Sequence, residues 1–272
     1  MMNEGVFTLG FINTFLRTIL DAINGVVHNY GWSIVIFTIL IRIALLPLDL
    51  KQKREAKKMN DIQPLLQEIN EKYKNDAEKR NQKTMELYKE KKINPFGGCL
   101  PMLIQLPILF ALFAVLREIA DQQTLAIVDQ VRNGAKTIQF ESWLWVRNIW
   151  QPDSFLAGVL PDKVAKISDY ATVMKDVLAS YKDITNGWFI LPILAGLSQF
   201  FQMKTMNAGG TPQQQKGFMY FFPIFSVYIC ATYNAAFSIY WVAGNLFQIA
   251  QQYIINMISP DLVRPNKEGN EK

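Results

Sequence analysis

The sequence predicts an all-α integral membrane protein: five transmembrane helices around a hydrophilic groove, a cytoplasmic helical hairpin, and an N-terminal amphipathic helix at the membrane interface. Three observations predict it. Half of the 272 residues are apolar and 12% are aromatic, yet mean hydropathy is only +0.07, so the apolar residues must be clustered. Five windows are nearly free of charge, about 31–48, 100–116, 187–203, 217–232 and 235–257. Runs of about 20 residues suit a bilayer core at 1.5 Å per residue. Finally, polar side chains recur inside several of those windows, and at membrane depth such groups usually face one another or a wet cavity. Five core helices of a soluble all-α protein are the alternative, but the charges fall mostly between the windows.

Residues 6–27, VFTLGFINTFLRTILDAINGVV, are mainly apolar but include Asn13, Arg17, Asp21 and Asn24. Spacings of four, four and three put these on one helix face, so 1–30 reads as an interfacial helix rather than a span. A tilted, poorly hydrophobic extra span is the alternative. No cleavable signal peptide is expected, since the first thirty residues lack a basic start and an unbroken apolar core. His28, the one histidine, is read as an interfacial residue without a chemical task.

The first span, about 31–48, ends at Pro47 and Asp49 and carries Arg42. Residues 50–92 are then rich in Lys, Arg and Glu. Met59, Ile62, Leu65, Leu66, Ile69 and Tyr73 recur at helical spacing, as do Met85 and Tyr88 with Leu87 beside them, and Asn75 and Asp76 break the run where a second helix can be capped. This predicts two antiparallel helices in water with one apolar seam. A solvated spacer is the bland alternative, but two spans can be joined in far fewer residues.

Span two, about 100–119, follows an irregular approach marked by Pro95, Gly97, Gly98 and Pro101, and Pro107 lies inside it as an expected kink. Residues 120–186 read as an extracellular connection. Trp143, Trp145 and Trp150 suggest that it rests at headgroup level, and 162–182 has the pattern of a further surface helix. Spans three to five follow at about 187–205, 217–232 and 235–257, with a tail at 259–272.

Lys and Arg near the span ends set orientation. They crowd the 50–92 hairpin and recur in the 204–216 loop and the tail, so these three segments go to the cytoplasm. The N-terminus, the 120–186 segment and the tight 232–236 link are then outside. Cys99 and Cys230 lie in or beside different spans, so a disulfide framework is not expected.

A charged arginine in an apolar run costs about 2.5–3.5 kcal/mol when it faces lipid at the centre of a span. Snorkelling could cover part of the distance for Arg42, about six residues from the cytoplasmic end. Other spans tilt the balance. Span five reads Asn234, Ser238, Trp241, Asn245, Gln248, Gln252, at alternating spacings of four and three, one stripe down a helix. Span three adds Ser198, Gln199 and Gln202, span two Gln105, and span one Thr38. Interhelical glue at about 1 kcal/mol each explains one or two of these. No Asp or Glu lies inside any window; Asp49 and Glu118 stand at the edges. A buried charge far from a counter-charge is costly, so a wet cavity is the economical reading. The sequence has no phosphate-binding glycine loop, HExxH, Ser/His/Asp set or Cys/His cluster. Neither enzyme activity nor a metal or cofactor is expected. A cavity that shelters a polar or acidic peptide partway across the bilayer fits better.

The runs IQPLLQEINEKYKND and MELYKEKKINPFGGCLPMLIQLPILFALF (62–76 and 85–113) closely resemble the YidC family of membrane protein insertases, within the YidC/Oxa/Alb group. The arginine-bearing first span, WLW…PD, LSQFFQMK and IYWVAGNLFQIAQQ fit the same pattern, so the resemblance spans about 31–258. It implies a five-span core with a groove open to cytoplasm and lipid and closed outside. The family's groove arginine falls on Arg42 and its polar groove positions on Gln105, Gln199 and Trp241; the residues' own stripe adds Ser238, Asn245 and Gln248. The implied partners are nascent membrane proteins and membrane lipids, with the Sec translocon, the signal recognition particle receptor and the ribosome as candidates; no direct specific nucleic-acid binding is expected. The implied place is a bacterial plasma membrane, multi-pass, N-terminus outside and C-terminus cytoplasmic. The chain departs from the family in lacking the periplasmic β-domain of large forms and the early lipoprotein cysteine of many compact ones. Its outer connection is longer and its basic tail short, which puts ribosome docking by the tail in doubt. The expected function is assisted insertion and folding of membrane proteins, an insertase and chaperone role. A small-anion channel or carrier using Arg42 as selectivity charge is the alternative, and a chaperone that holds helices without moving polar tails is a third reading.

Overall fold

A computed structural model describes residues 2–93, 100–135, 137–161, 164, 167–206 and 216–258; the side chains of 2–9, 56, 100–105, 206 and 216–219 lie outside that description. The described residues form ten helices: α1 (Met2–Val27), α2 (Tyr30–Asp61), α3 (Gln63–Lys72), α4 (Ala77–Glu90), α5 (Leu100–Arg132), α6 (Tyr170–Val173), α7 (Lys175–Tyr181), α8 (Ile190–Met206), α9 (Lys216–Thr232) and α10 (Ala235–Ile258). Extended pairing among them is limited to the isolated bridges Trp143–Val146 and Gly158–Thr185. The all-α class expected from the sequence is what folds.

Helix α2 does not stop at Pro47 and Asp49, as the sequence reading has it, but continues to Asp61, a length of roughly 48 Å at 1.5 Å per residue. Proline removes one backbone hydrogen bond. The Lys-, Gln-, Glu- and Ala-rich residues beyond it are good helix formers and carry the helix on. Asn29 caps the start, its side chain accepting from Trp32 N at 3.1 Å. His28 takes a left-handed φ of 55° where the chain turns from α1 into α2.

Helix α1 has the expected polar stripe, and that stripe packs inward. Arg17 pairs with Asp21 at 2.7 Å, donates to Gln122 Oε1 at 2.7 Å and reaches Glu118 at 3.2 Å, both on α5. Ser33 Oγ of α2 donates to Asn24 Oδ1 at 3.1 Å. Leu16 and Leu20 enter the main core beside these links, while Phe11 and Phe15 point outward.

The main core joins α1, α2, α5, α8 and α10 around Ile34, Phe37, Leu112, Leu116, Leu191 and Phe237, all at most 2% exposed. Helices α8 and α9 come close because Gly196 has no side chain. A Cβ there would stand 2.4 Å from Val227 Cγ2 and 3.3 Å from the Pro223 carbonyl oxygen, the kind of backbone approach that small residues allow between membrane helices. The exterior carries a broad apolar surface, including Ile39, Leu40 and Ile43 of α2, Leu197 and Phe201 of α8, and Ile224 and Tyr228 of α9. That is more exposed apolar area than a soluble monomer normally tolerates. Among the described residues one helix, Tyr30–Asp61, is long and apolar enough to cross a membrane by length and composition; Tyr220–Thr232 is a shorter apolar helix.

Residues 120–186 are more structured than a polar connection. Helix α5 runs on to Arg132, and the segment beyond it folds on a core of its own formed by Val128, Ile138, Val159, Leu160, Tyr170 and Met174. The single surface helix expected at 162–182 is two short ones, α6 and α7, with Tyr170 and Val177 buried. The three tryptophans pack against protein. Trp150 is 5% exposed and meets Tyr30 edge-on at 5.2 Å, Trp143 meets Trp32 at 5.4 Å, and Trp145 donates from Nε1 to Asp153 Oδ2 at 3.1 Å.

Asp153, fully buried, ties this cap to the bundle. One carboxylate oxygen accepts from Trp188 N at 2.8 Å and Phe189 N at 3.2 Å, the other from Leu191 N at 2.7 Å, so it caps the start of α8 from 35 or more residues away. Asn186 donates to the carbonyls of Asn148 and Pro152, both at 2.8 Å. Within residues 50–92, beyond the end of α2, α3 and α4 pack against each other. Ile62, Leu66 and Leu87 make the seam, and Asp76 caps α4 through Lys79 N at 3.0 Å. Leu65 and Met85, expected in that seam, are exposed instead. The glycine-rich approach at 94–99, including Cys99, and the tail at 259–272 lie outside the described residues.

Candidate functional site

Arg42 turns inward from α2 and is 7% exposed. Its guanidinium lies against Gly244 of α10: a Cβ on that glycine would stand 3.1 Å from Nη2 and 3.5 Å from Nε. A side chain that extends beyond Cβ would compete for the place the guanidinium takes. Thr38, one turn earlier on the same face, is fully buried and donates to the Ile34 carbonyl at 2.6 Å. The apolar run around Arg42 thus puts its aliphatic side chains outward and its charge against the neighbouring helix.

Seven residues further along each helix the seam repeats. Asp49 on α2 follows Arg42, and Gln251 on α10 follows Gly244. Seven residues are nearly two turns, so each pair keeps its face. Burial raises the Asp49 carboxyl above the ordinary carboxylate range, against the opposing pull of Arg42, Lys53 and the Gln251 amide. Gln251 is 6% exposed, and neither of its amide atoms nor Asp49 Oδ2 completes a hydrogen bond of normal geometry. Lys53, one turn beyond Asp49, is lowered by burial to about 8 although Asp49 favours its charged form. The opposite face of this part of α2 presents Lys51, Arg54 and Lys58 around an open depression.

A second polar seam joins α10 to α8. Asn245 Nδ2 donates to Ser198 Oγ at 3.1 Å, and Ser198 Oγ donates to the Ala195 carbonyl at 3.2 Å. Gln199 donates to Gln202 Oε1 at 2.8 Å, and Gln202 in turn donates to Gln248 Oε1. Ser238 donates to the Cys230 carbonyl of α9 at 3.2 Å. Adjacent residues on a helix are about 100° apart, so α10 serves both seams: Gly244 and Gln251 face α2, Asn245 and Gln248 face α8.

Of the residues singled out from the sequence, Arg42, Gln199, Ser238 and Asn245 are buried and Gln248 is partly so. Asn245, Gln248 and Gln199 share the α8 seam, while Arg42 belongs to the α2 seam. Trp241 joins an aromatic cluster, 5.4 Å from Phe237 and 6.3 Å from Phe222, with its indole nitrogen buried and not hydrogen-bonded. Asn234 is a helix cap rather than a member of the stripe, accepting from Phe237 N at 3.1 Å. The side chain of Gln105 lies outside the described residues. Sequence reasoning missed Gly244, Asp49, Lys53 and Gln251. The shared heptad from 42 to 49 and from 244 to 251 is the signal that could have found them.

An apolar exterior over a helical bundle, with a buried arginine and amide contacts between its helices, is the build of a membrane protein. The chain belongs to the 60Kd inner membrane protein family, the YidC/Oxa/Alb group, whose model matches residues 22–261. It is 36% identical over 249 residues to the membrane protein insertase YidC of Fusobacterium nucleatum subsp. nucleatum, covering 92% of this chain and 97% of that one. It is 35% identical over 243 residues to the membrane protein insertase YidC of Caldanaerobacter subterraneus subsp. tengcongensis, covering 89% and 93%. The match to the YidC of Leptospira interrogans, 32% over 254 residues, covers 93% of this chain and 35% of that longer protein.

Proposed function

We propose that this protein is a bacterial membrane protein insertase that assists the insertion and folding of nascent membrane proteins, with five spans at about 31–48, 100–119, 187–205, 217–232 and 235–257. Family membership supports the activity. The observation that carries the mechanism is the guanidinium of Arg42 held at a helix seam whose facing residue is a glycine. In a surrounding of low dielectric such a charge attracts a client carboxylate far more strongly than it would in water. Arg42 draws the acidic residues of a client's polar tail into the space between helices. Gln105, Gln199, Ser238, Asn245 and Gln248 offer hydrogen bonds to water and to the tail, and Trp241 borders the path. The apolar part of the client passes into lipid.

In this reading the N-terminus and the 120–186 cap are outside, and the 50–92 hairpin and the tail are cytoplasmic. The hairpin collects clients with its basic faces and thin apolar seam. The Sec translocon, the signal recognition particle receptor and the ribosome are partners at that face. Reconstitution of the purified protein alone into liposomes tests the proposal: a single-span client with an acidic tail becomes inserted and protease-protected. A protein that only held helices would leave such a client uninserted. Steady anion flux without any client would favour a channel.

A further inference from the structure

Arg42, Asp49 and Lys53 succeed one another at spacings of seven and four, a row of positive, negative and positive charge down the face of α2 that meets α10. Three observations set Asp49 apart from a surface carboxylate. Its Oδ2 is buried and completes no hydrogen bond of normal geometry. The residue beside it is Gln251, itself 6% exposed, whose amide pulls on the carboxylate without completing a hydrogen bond of normal geometry. Its charge interacts with Arg42 above and Lys53 below. Buried polar groups that are only loosely paired are expensive, and here an aspartate and a glutamine meet in that way at the inner end of the seam that holds Arg42.

We infer that Asp49 is a specificity-determining residue: a built-in counter-charge that competes with client carboxylates for the field of Arg42 and so sets how strongly acidic tails are preferred. This rests on the insertase reading proposed above. With Asp49 ionised, a client acid approaching from the cytoplasm passes Lys53, is held off by Asp49, and gains only part of the attraction of Arg42. Gln251 is placed to hydrogen-bond either the Asp49 carboxylate or a passing client amide. Removing the Asp49 charge then strengthens the pull on acidic tails and leaves tails without charge almost unaffected. The dependence on tail charge steepens, whatever happens to overall yield.

The test uses the full-length protein in liposomes and one single-span client with zero, one or two acidic residues in its translocated tail. The readout is the ratio of the insertion rate for two acids to that for none. Wild type gives a ratio above one, Asp49→Asn raises it at least threefold, and Asp49→Glu returns it to the wild-type value. Because a ratio is read, partial loss of folded protein cancels. An Asp49→Asn ratio equal to wild type, while Arg42→Ala flattens the series, overturns the inference and leaves the insertase reading standing. A ratio raised equally by Asp49→Glu also overturns it, since packing and not charge would then be responsible. If Arg42→Ala leaves the series unchanged, the charge-based reading beneath the inference fails first.

Discussion

The guanidinium of Arg42 and the α-carbon of Gly244 share one space: a Cβ on the glycine would come within 3.1 Å of Nη2. Two helices that meet with an arginine on one and a glycine on the other leave room for the charge and for little else. Gly244→Ala asks only the flexible end of Arg42 to move by a few tenths of an ångström and adds helix propensity of about 1 kcal/mol. Its thermal stability in detergent should match or exceed wild type. Gly244→Leu fills the space and drives the guanidinium out, so insertion of acidic-tail clients should fall at least tenfold. If Gly244→Leu inserts such clients normally, the seam position of Arg42 has no part in the activity.

Asp153 fixes the outer cap to α8, and this link should be worth more than a surface ion pair. Asp153→Ala leaves three backbone N–H groups and the Trp145 indole N–H without their acceptor. Charge-assisted hydrogen bonds and buried unsatisfied donors together predict a loss of about 3 kcal/mol. Thermal unfolding in detergent measures it. A change within about 0.5 kcal/mol would mean that water takes over the role of the carboxylate.

The inward polar face of α1 makes a further forecast. Arg17 is the common partner of Asp21, Glu118 and Gln122. Arg17→Ala should release α1 from α5 at a cost of about 1 kcal/mol, being only partly buried. Amide hydrogen exchange should quicken in α1 while α8 to α10 keep their protection. Unchanged exchange in α1 would assign its docking to Leu16 and Leu20 alone.

Lys53 should give client capture a pH dependence. Its value of about 8 lies below the ordinary 10.5 because burial disfavours the charged form, with Asp49 opposing. The charge is therefore present below about pH 8 and lost above it; at pH 9 about one-tenth of molecules keep it. Capture of acidic clients should decline between pH 7 and pH 9, and Lys53→Arg, which stays charged, should remove the decline. The same sign applies to stability. The unfolded chain binds this proton between about 8 and 10.5 where the folded one does not, so stability gains with rising pH across that window. A capture profile that is flat from pH 7 to 9 for the unaltered protein would exclude Lys53 from the path.

Much of the helical framework can be read from the sequence because apolar runs bounded by polar loops leave little freedom. Helices α8, α9 and α10 end within a few residues of the expected spans, and Asp76 caps the helix it was expected to cap. What escapes the sequence has two physical origins. A hydrophobic window measures a span and not a helix, so α2 and α5 outrun theirs through good helix formers in water. Contacts across long separations leave no periodic trace: Asp153 reaching α8 and the tryptophans packing on Tyr30 and Trp32 are of this kind. The α10 stripe shows the same limit at the candidate site. Periodicity puts Asn234, Ser238, Trp241, Asn245 and Gln248 in one row. Packing divides them among a cap, an aromatic cluster and the α8 seam, and gives the face toward Arg42 to Gly244 and Gln251.

In the proposed mechanism the charge of Arg42 acts on client acids. The most direct measurement is the insertion rate, in liposomes containing only this protein, of a single-span client with two acidic tail residues, compared for the wild type, Arg42→Lys and Arg42→Ala. Arg42→Lys should keep most of the rate, and Arg42→Ala should lose at least tenfold. An alanine variant that inserts this client as fast as wild type, with equal protein in the membrane, would contradict it.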